Sequence, residues 1–212
     1  MTTLVCVAHP KDDVIDAGGT IAKYINDGEK LVVVIFSYGE GADPLQDPRL
    51  LTITRIRESK KALETLGVRD TIFFSVSDID FTQEIRQPST AKKFIDVLSK
   101  YDPKKIFTHA TDDLNPSHRA VADFVVNHAR KLKNKPDIYE FGISIPFRIM
   151  HREKPRLYVD ISKFFHKKKQ ALKMFKSQKE YISWFIWPFV WLHNWFAGFK
   201  SRTKYAEVFY KI

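Results

Sequence analysis

The amino-acid sequence predicts an α/β fold: a Rossmann-like, doubly wound, mostly parallel sheet with helices on both faces and a C-terminal aromatic and basic appendage. Three observations carry that prediction. Apolar runs of strand length alternate with segments of helical period. One run, Leu31-Val32-Val33-Val34-Ile35-Phe36, is continuous enough for a parallel strand covered on both faces. Clusters of Gly, Pro and Asp separate the elements.

The elements follow in order. Residues 4–8 read as a short buried strand, and 17–26 as a helix closed by Gly28. Residues 30–37 form the second strand, and 39–49 a loop rich in Gly, Asp and Pro. Residues 51–66 carry Ile53, Ile56, Ala62, Leu63 and Leu66 near one helical face, with Gly67 as the stop. Strands at 71–75 and 105–109 alternate with helices at 90–101 and 118–132. Further strands are expected at 138–145 and 156–161, then a basic helix over 162–180. The strand-helix alternation places a site at the carboxyl ends of the strands. Residues 1–180 form the main unit, 181–199 an aromatic insertion, and 200–212 a strand that returns to the domain.

At 212 residues the chain suits one domain with a modest appendage. With 44% hydrophobic and 28% charged residues it is globular and not disordered. Cys6 is the one cysteine, which excludes an intramolecular disulfide framework and a thiolate-rich zinc module and suits a reducing cytosol. No signal peptide is visible, so a cytoplasmic location is expected. The net charge of +10 is localised: residues 1–150 hold 21 basic and 21 acidic side chains, residues 151–212 hold 14 and 4. That imbalance suggests an anionic partner for the C-terminal part, or else a solvated basic helix.

Residues 181–199 contain no Asp, Glu, Lys or Arg, and nine of the 19 are aromatic, including all four tryptophans. As a helix the segment would be apolar almost all round, so it is buried or lies in lipid, with Pro188 kinking or starting it. Spanning a bilayer is disfavoured by Pro188, His193 and Asn194 and by basic residues on both flanks. Insertion at the surface of an anionic membrane through residues 163–204, peripheral at the cytoplasmic face, is the favoured reading. A homo-oligomer interface or an aromatic lid over a cleft competes with it.

The first strand delivers Ala8-His9-Pro10-Lys11-Asp12-Asp13, followed by a helix containing Gly18-Gly19. A His and an Asp three apart, in the loop leaving a parallel strand, can reach one metal ion. The fourth strand ends at His109 and leads into Asp112-Asp113-Leu114-Asn115-Pro116-Ser117-His118-Arg119. The first and fourth such strands often flank a switch point, so His118 can complete a His-Asp-His set with an open position. On spacing alone, Asp12, Asp13 and Ser117 read equally well as helix caps. His109, His128, His151, His166 and His193 lack comparable carboxylate neighbours and are taken as structural.

These residues resemble the LmbE-like, or PIG-L, zinc-dependent N-deacetylases. Their signature is Ala-His-Pro-Asp-Asp-Glu running into a Gly-Gly helix, with a later His-Pro-Asp-His-Arg-Ala-Val. Arg55-Ile56-Arg57-Glu58, Asp160-Ile161-Ser162, Lys176-Ser177-Gln178 and Tyr205-Ala206-Glu207-Val208-Phe209 are similar to further family landmarks. The resemblance implies zinc held by His9, Asp12 and His118, with Arg55 on the substrate. It also implies hydrolysis of the N-acetyl group of an N-acetylglucosamine-type sugar or conjugate, lipid-linked substrates included.

The chain departs from that pattern near the chemistry. Lys11 stands where the family's general base stands, Asn115 replaces a His that stabilises the oxyanion, and Ser117 and Phe175 replace an Asp and a His. Asp13 is then the best substitute base if the loop shifts by one residue, and Asn115 can still donate to an oxyanion. A binding protein that keeps the fold without turnover is the alternative reading. Nucleic-acid binding is disfavoured because no recognised motif is present. A nicotinamide enzyme is disfavoured because the first turn lacks Gly-x-Gly.

Overall fold

The computed structural model describes residues 1–42, 46–141 and 154–212. Seven strands form one sheet in the order β3-β2-β1-β4-β5-β7-β6. They are β1 (Thr2–Val7), β2 (Lys30–Ile35), β3 (Asp70–Phe73), β4 (Lys105–Thr108), β5 (Asp137–Phe141), β6 (Arg156–Asp160) and β7 (Ala206–Lys211). The first five pair in parallel, and β7 runs antiparallel between β5 and β6. The chain winds outward in both directions from β1 and β4, which makes that junction the switch point.

The strand sequences explain why both faces are covered. Along β1 and β2, Val5, Val7, Val33 and Ile35 enter one apolar layer, and Leu4, Cys6, Val32 and Val34 enter the other. Helices fill the two layers: α1 (Asp12–Asn26), α2 (Pro48–Leu66), the short α3 (Phe81–Glu84), α4 (Pro88–Tyr101) and α5 (Pro116–Ala129). Asp47 caps α2 by accepting from the Arg49 backbone N–H at 2.8 Å, and Pro48 suits the first turn. Gly19 of α1 has no room for a side chain, because a Cβ there would sit 2.7 Å from Ile161. The helix carrying Asp12 therefore seats directly against the segment after β6.

The basic helix expected over 162–180 is corrected. Phe165–Leu172 (α6) is α-helical, a short 3-10 turn follows at Lys176–Gln178, and the α-helix resumes only at Lys179. Tertiary contacts outweigh the helical pattern. Phe175 is buried, and Ser177 is drawn to Glu58 of α2, its hydroxyl donating at 2.6 Å and its N–H at 2.7 Å. The strand expected over 138–145 is observed to Phe141, and its remaining positions lie outside the described residues.

After α7 (Lys179–Tyr181) comes a π-helical turn, Ile182–Ile186, and then α8 (Trp187–Ser201) with Pro188 in its first turn. Pro188 thus follows directly on the π-helical turn within one unbroken helical run from Lys179 to Ser201. The segment is not apolar on buried faces all round. Val190, Asn194, Ala197 and Gly198 face inward, and most of the large aromatics face out.

Beneath α8 lies a buried ion pair. The Lys168 Nζ donates to Glu207 Oε1 at 2.6 Å and to Asn194 Oδ1 at 3.0 Å. Glu207 also accepts from the backbone N–H groups of Gly19 and Thr20 at 3.0 and 2.7 Å. Four elements (α1, α6, α8 and β7) meet at this one carboxylate.

Candidate metal centre

The loops leaving β1 and β4 meet at the switch point and form the floor of a cleft of about 1290 Å³. Asp12 is the first residue of α1, and His118 lies in the first turn of α5. Asn115 caps α5 by accepting from the Ser117 N–H at 2.9 Å, which sets the angle at which His118 enters.

His9, Asp12 and His118 place one ligand atom each within 4.8 Å of one another. Asp12 Oδ2 lies 3.4 Å from His9 Nδ1 and 3.3 Å from His118 Nε2. The second nitrogen of each ring is taken by another carboxylate. His9 Nε2 bonds Asp78 Oδ1 at 2.9 Å, and His118 Nδ1 bonds Asp113 Oδ2 at 3.2 Å. Such outer carboxylates fix the tautomer and orientation of metal-ligating imidazoles. With Nε2 of His9 and Nδ1 of His118 so engaged, their other nitrogens turn toward Asp12. The donor set fits a borderline divalent cation such as zinc.

The electrostatics agree with that fit. Burial works against ionised Asp12, but His118 and His9 outweigh it and hold the carboxyl well below its usual range. Burial opposes a charged His118 ring too, but Asp12 and Asp113 push its pKa up to about 10. His9 is likewise raised by Asp12 and Asp78 against burial. The carboxylates of Asp12, Asp78 and Asp113 thus favour positive charge on the two imidazoles that they flank.

His109, read from sequence as structural, packs at the centre. It is fully buried, stacks on His118 with ring centroids 3.8 Å apart, and its Nε2 accepts from the Ala8 N–H at 2.9 Å. Desolvation, reinforced by His118, keeps it neutral. It can form a second set with Asp113 and His118. Unlike His9, Asp12 and His118, however, it does not line the cleft.

The remaining sequence-predicted residues divide. Asn115 and Arg55 line the cleft. The Arg55 guanidinium is held by the Gly39 carbonyl. Lys11 sits on the cleft wall in a left-handed backbone conformation (φ 88). Its ammonium donates to Gln178 and lies 4.8 Å from the centre of the Tyr181 ring, and burial lowers its pKa. Asp13 is fully buried and does not line the cleft, and burial followed by the neighbouring Asp12 pushes its pKa up to about 7. Asp16, one turn beyond Asp12, does line the wall. Burial and then Asp12 raise its pKa well above the usual value.

Sequence reasoning missed Asp16, Asp78, Asp113 and His109. Asp16 had a local signal, its spacing of four from Asp12, which puts both on one helical face. Asp113 stood in the quoted motif, five residues before His118. Asp78 is 69 residues from His9 and gave none.

Together these features define a doubly wound α/β protein with a metal-competent cleft at its switch point. More specifically, the chain belongs to the PIG-L family, whose model, described as GlcNAc-PI de-N-acetylase, matches residues 4–129. It is 26% identical over 223 residues to the diacetylchitobiose deacetylase of Thermococcus kodakarensis, covering 96% of this chain and 80% of that one. It is 24% identical over 197 residues to the 4-oxalmesaconate hydratase of Pseudomonas putida, covering 84% and 74%. The fold superposes on the N,N'-diacetylchitobiose deacetylase of Pyrococcus horikoshii with a TM-score of 0.83 and 22% identity, covering 100% of this chain and 83% of that one. The names of these relatives cover more than one reaction, and the site must decide between them.

Proposed function

We propose that this chain is a zinc-dependent N-deacetylase acting on the acetamido group of an N-acetylglucosamine-type sugar or conjugate, lipid-linked conjugates included. One observation carries the reading. Two imidazoles and Asp12 converge at the cleft floor, and each imidazole is oriented by a second carboxylate. A dication held there supplies Lewis acidity toward the amide carbonyl and acidifies water near neutral pH.

The chain's own groups do the rest. Asn115 offers an amide N–H at the cleft wall for developing negative charge on the carbonyl oxygen. Arg55, held by Gly39, offers a fixed positive group for sugar hydroxyls. Water adds to the acyl carbon and the C–N bond breaks, so that acetate departs and both protons of the water end on the leaving amine. The Asp16 carboxyl, whose pKa burial and then Asp12 raise, lies on the wall where it can relay a proton from the water to the amine. Asp13 lies behind the wall, and Lys11 is committed to Gln178 and Tyr181, so neither takes the base's place in this geometry.

That commitment of Lys11 also supports a second reading, a metal-bearing sugar-binding protein without turnover. Elemental analysis of the purified chain, followed by acetate release from N-acetylglucosamine and diacetylchitobiose, separates the two. Acetate release at one zinc per chain supports the enzyme. Bound zinc and sugar without acetate support the binding protein. Absence of tight zinc binding overturns both.

A further inference from the structure

We propose that the outer face of α8 and its preceding π-helical turn is a docking face for an anionic lipid bilayer, with the cleft mouth opening beside it. The inner face of this helical run is already used, since Val190, Asn194, Ala197 and Gly198 are buried. Among the described residues nothing covers the outer face: Trp184 is 78% exposed, Phe199 72% and Phe185 61%, with Phe189, Trp191, Leu192 and Trp195 exposed beside them. At 150–250 Å² per full aromatic side chain, these seven leave roughly 700 Å² of apolar surface open, above the largest patch of an ordinary monomer.

The lysines that precede, pack on and follow this helical run select the occupant. Among the described residues, Lys169, Lys173, Lys176, Lys179, Lys200 and Lys204 have no carboxylate partner. Lys169 lies over Trp187 at 5.2 Å and Lys200 over Phe196 at 4.7 Å. Glu180 is the one acidic residue between positions 163 and 204. A second copy docked about a two-fold axis would press the same lysines against each other. An anionic bilayer offers the opposite charge to these lysines and hydrocarbon to the aromatic face, and indole rings settle at headgroup depth. No described helix is long and apolar enough to cross a membrane, so the face lies on the bilayer.

The docking face and the cleft share residues. Phe189 is exposed on the patch and also lines the cleft, together with Tyr181, Ile186 and Val190. Seated on lipid, the cleft faces molecules whose polar end can enter while an acyl chain stays in the bilayer. This last step rests on the deacetylase reading; the docking itself does not.

The test uses the full chain and vesicles of equal parts phosphatidylcholine and phosphatidylglycerol, with phosphatidylcholine alone as the comparison. The chain should sediment at least tenfold more strongly with the anionic vesicles, and brominated lipid should quench its indole emission. The triple substitution Trp184→Ser, Phe185→Ser, Trp195→Ser should reduce sedimentation at least tenfold with an unchanged melting temperature. Recovery of the wild-type chain in the supernatant with both vesicles, or unquenched emission, overturns the proposal. So does a dimer in analytical ultracentrifugation that the triple substitution disperses, which would assign the face to a second copy. Soluble N-acetylglucosamine hydrolysis is read in parallel. Its absence with vesicle binding intact counts against the deacetylase and leaves the docking face standing.

Discussion

Replacing Lys11 by Asp puts a carboxylate back where the family carries its general base. A positioned base contributes about 10²–10⁴ in rate, or roughly 3–5 kcal/mol of barrier. Against this stand the contacts that Lys11 makes. Its approach to the Tyr181 ring at 4.8 Å is worth about 0.5–1 kcal/mol at a partly open site, and the Gln178 bond a similar amount. The backbone at φ 88 favours the change, because Asp tolerates the left-handed region better than Lys. The net stability cost is therefore about 1 kcal/mol, and the rate term is larger. Zinc-loaded Lys11→Asp should release acetate from N-acetylglucosamine at least tenfold faster than the wild type, with its melting temperature lowered by a few degrees. A folded, zinc-loaded variant with no gain in rate would refute the reasoning. The limit would then lie with Asn115 and the reshaped cleft.

Three further outcomes follow from the geometry. His9→Ala or His118→Ala should abolish tight zinc binding in elemental analysis, and Asp78→Asn or Asp113→Asn should weaken it about 10–100-fold in chelator competition. His193 has no hydrogen-bond partner for either ring nitrogen, and burial, with Lys168 adding to it, lowers its pKa to about 4. The unfolded chain, with a His pKa near 6.5, then takes up more protons between those values. Stability should be intact above 6.5 and fall by up to about 3 kcal/mol as pH drops through 4, and His193→Gln should flatten that slope in denaturant titrations. Lys168→Met leaves the Glu207 carboxylate buried without its counter-charge, so urea unfolding should show a loss of about 3–5 kcal/mol.

The first half of the chain was legible because its signals are local. Val32 to Ile35 announce a doubly covered strand, and His9 and Asp12 fall three apart in the turn after another. The orienting carboxylates were less so: Asp78 reaches His9 only because β3 packs beside β2, and no spacing along the chain encodes that. The end of α6 was hidden for a related reason, since Glu58 decides where Ser177 goes. In α8 the aromatic residues mask the amphipathic pattern. The inner face is marked by a polar Asn194 and a small Gly198, whose Cβ would meet the Lys204 backbone at 2.8 Å. Apolar content alone points to the wrong face.

The Glu207 junction also bears on the order of events during synthesis. A chain leaving the ribosome N-terminus first exposes Gly19 of α1 188 residues before Glu207 emerges. Until then the backbone N–H groups of Gly19 and Thr20 lack the carboxylate that holds them, and Lys168 has no counter-charge to bury. The helix that carries Asp12 is thus fastened by the strand translated last among the seven. A nascent chain halted before β7 would present the His9–Asp12 loop without its support. A cation held by His9, Asp12 and His118 would gain its full support only once β7 is in place.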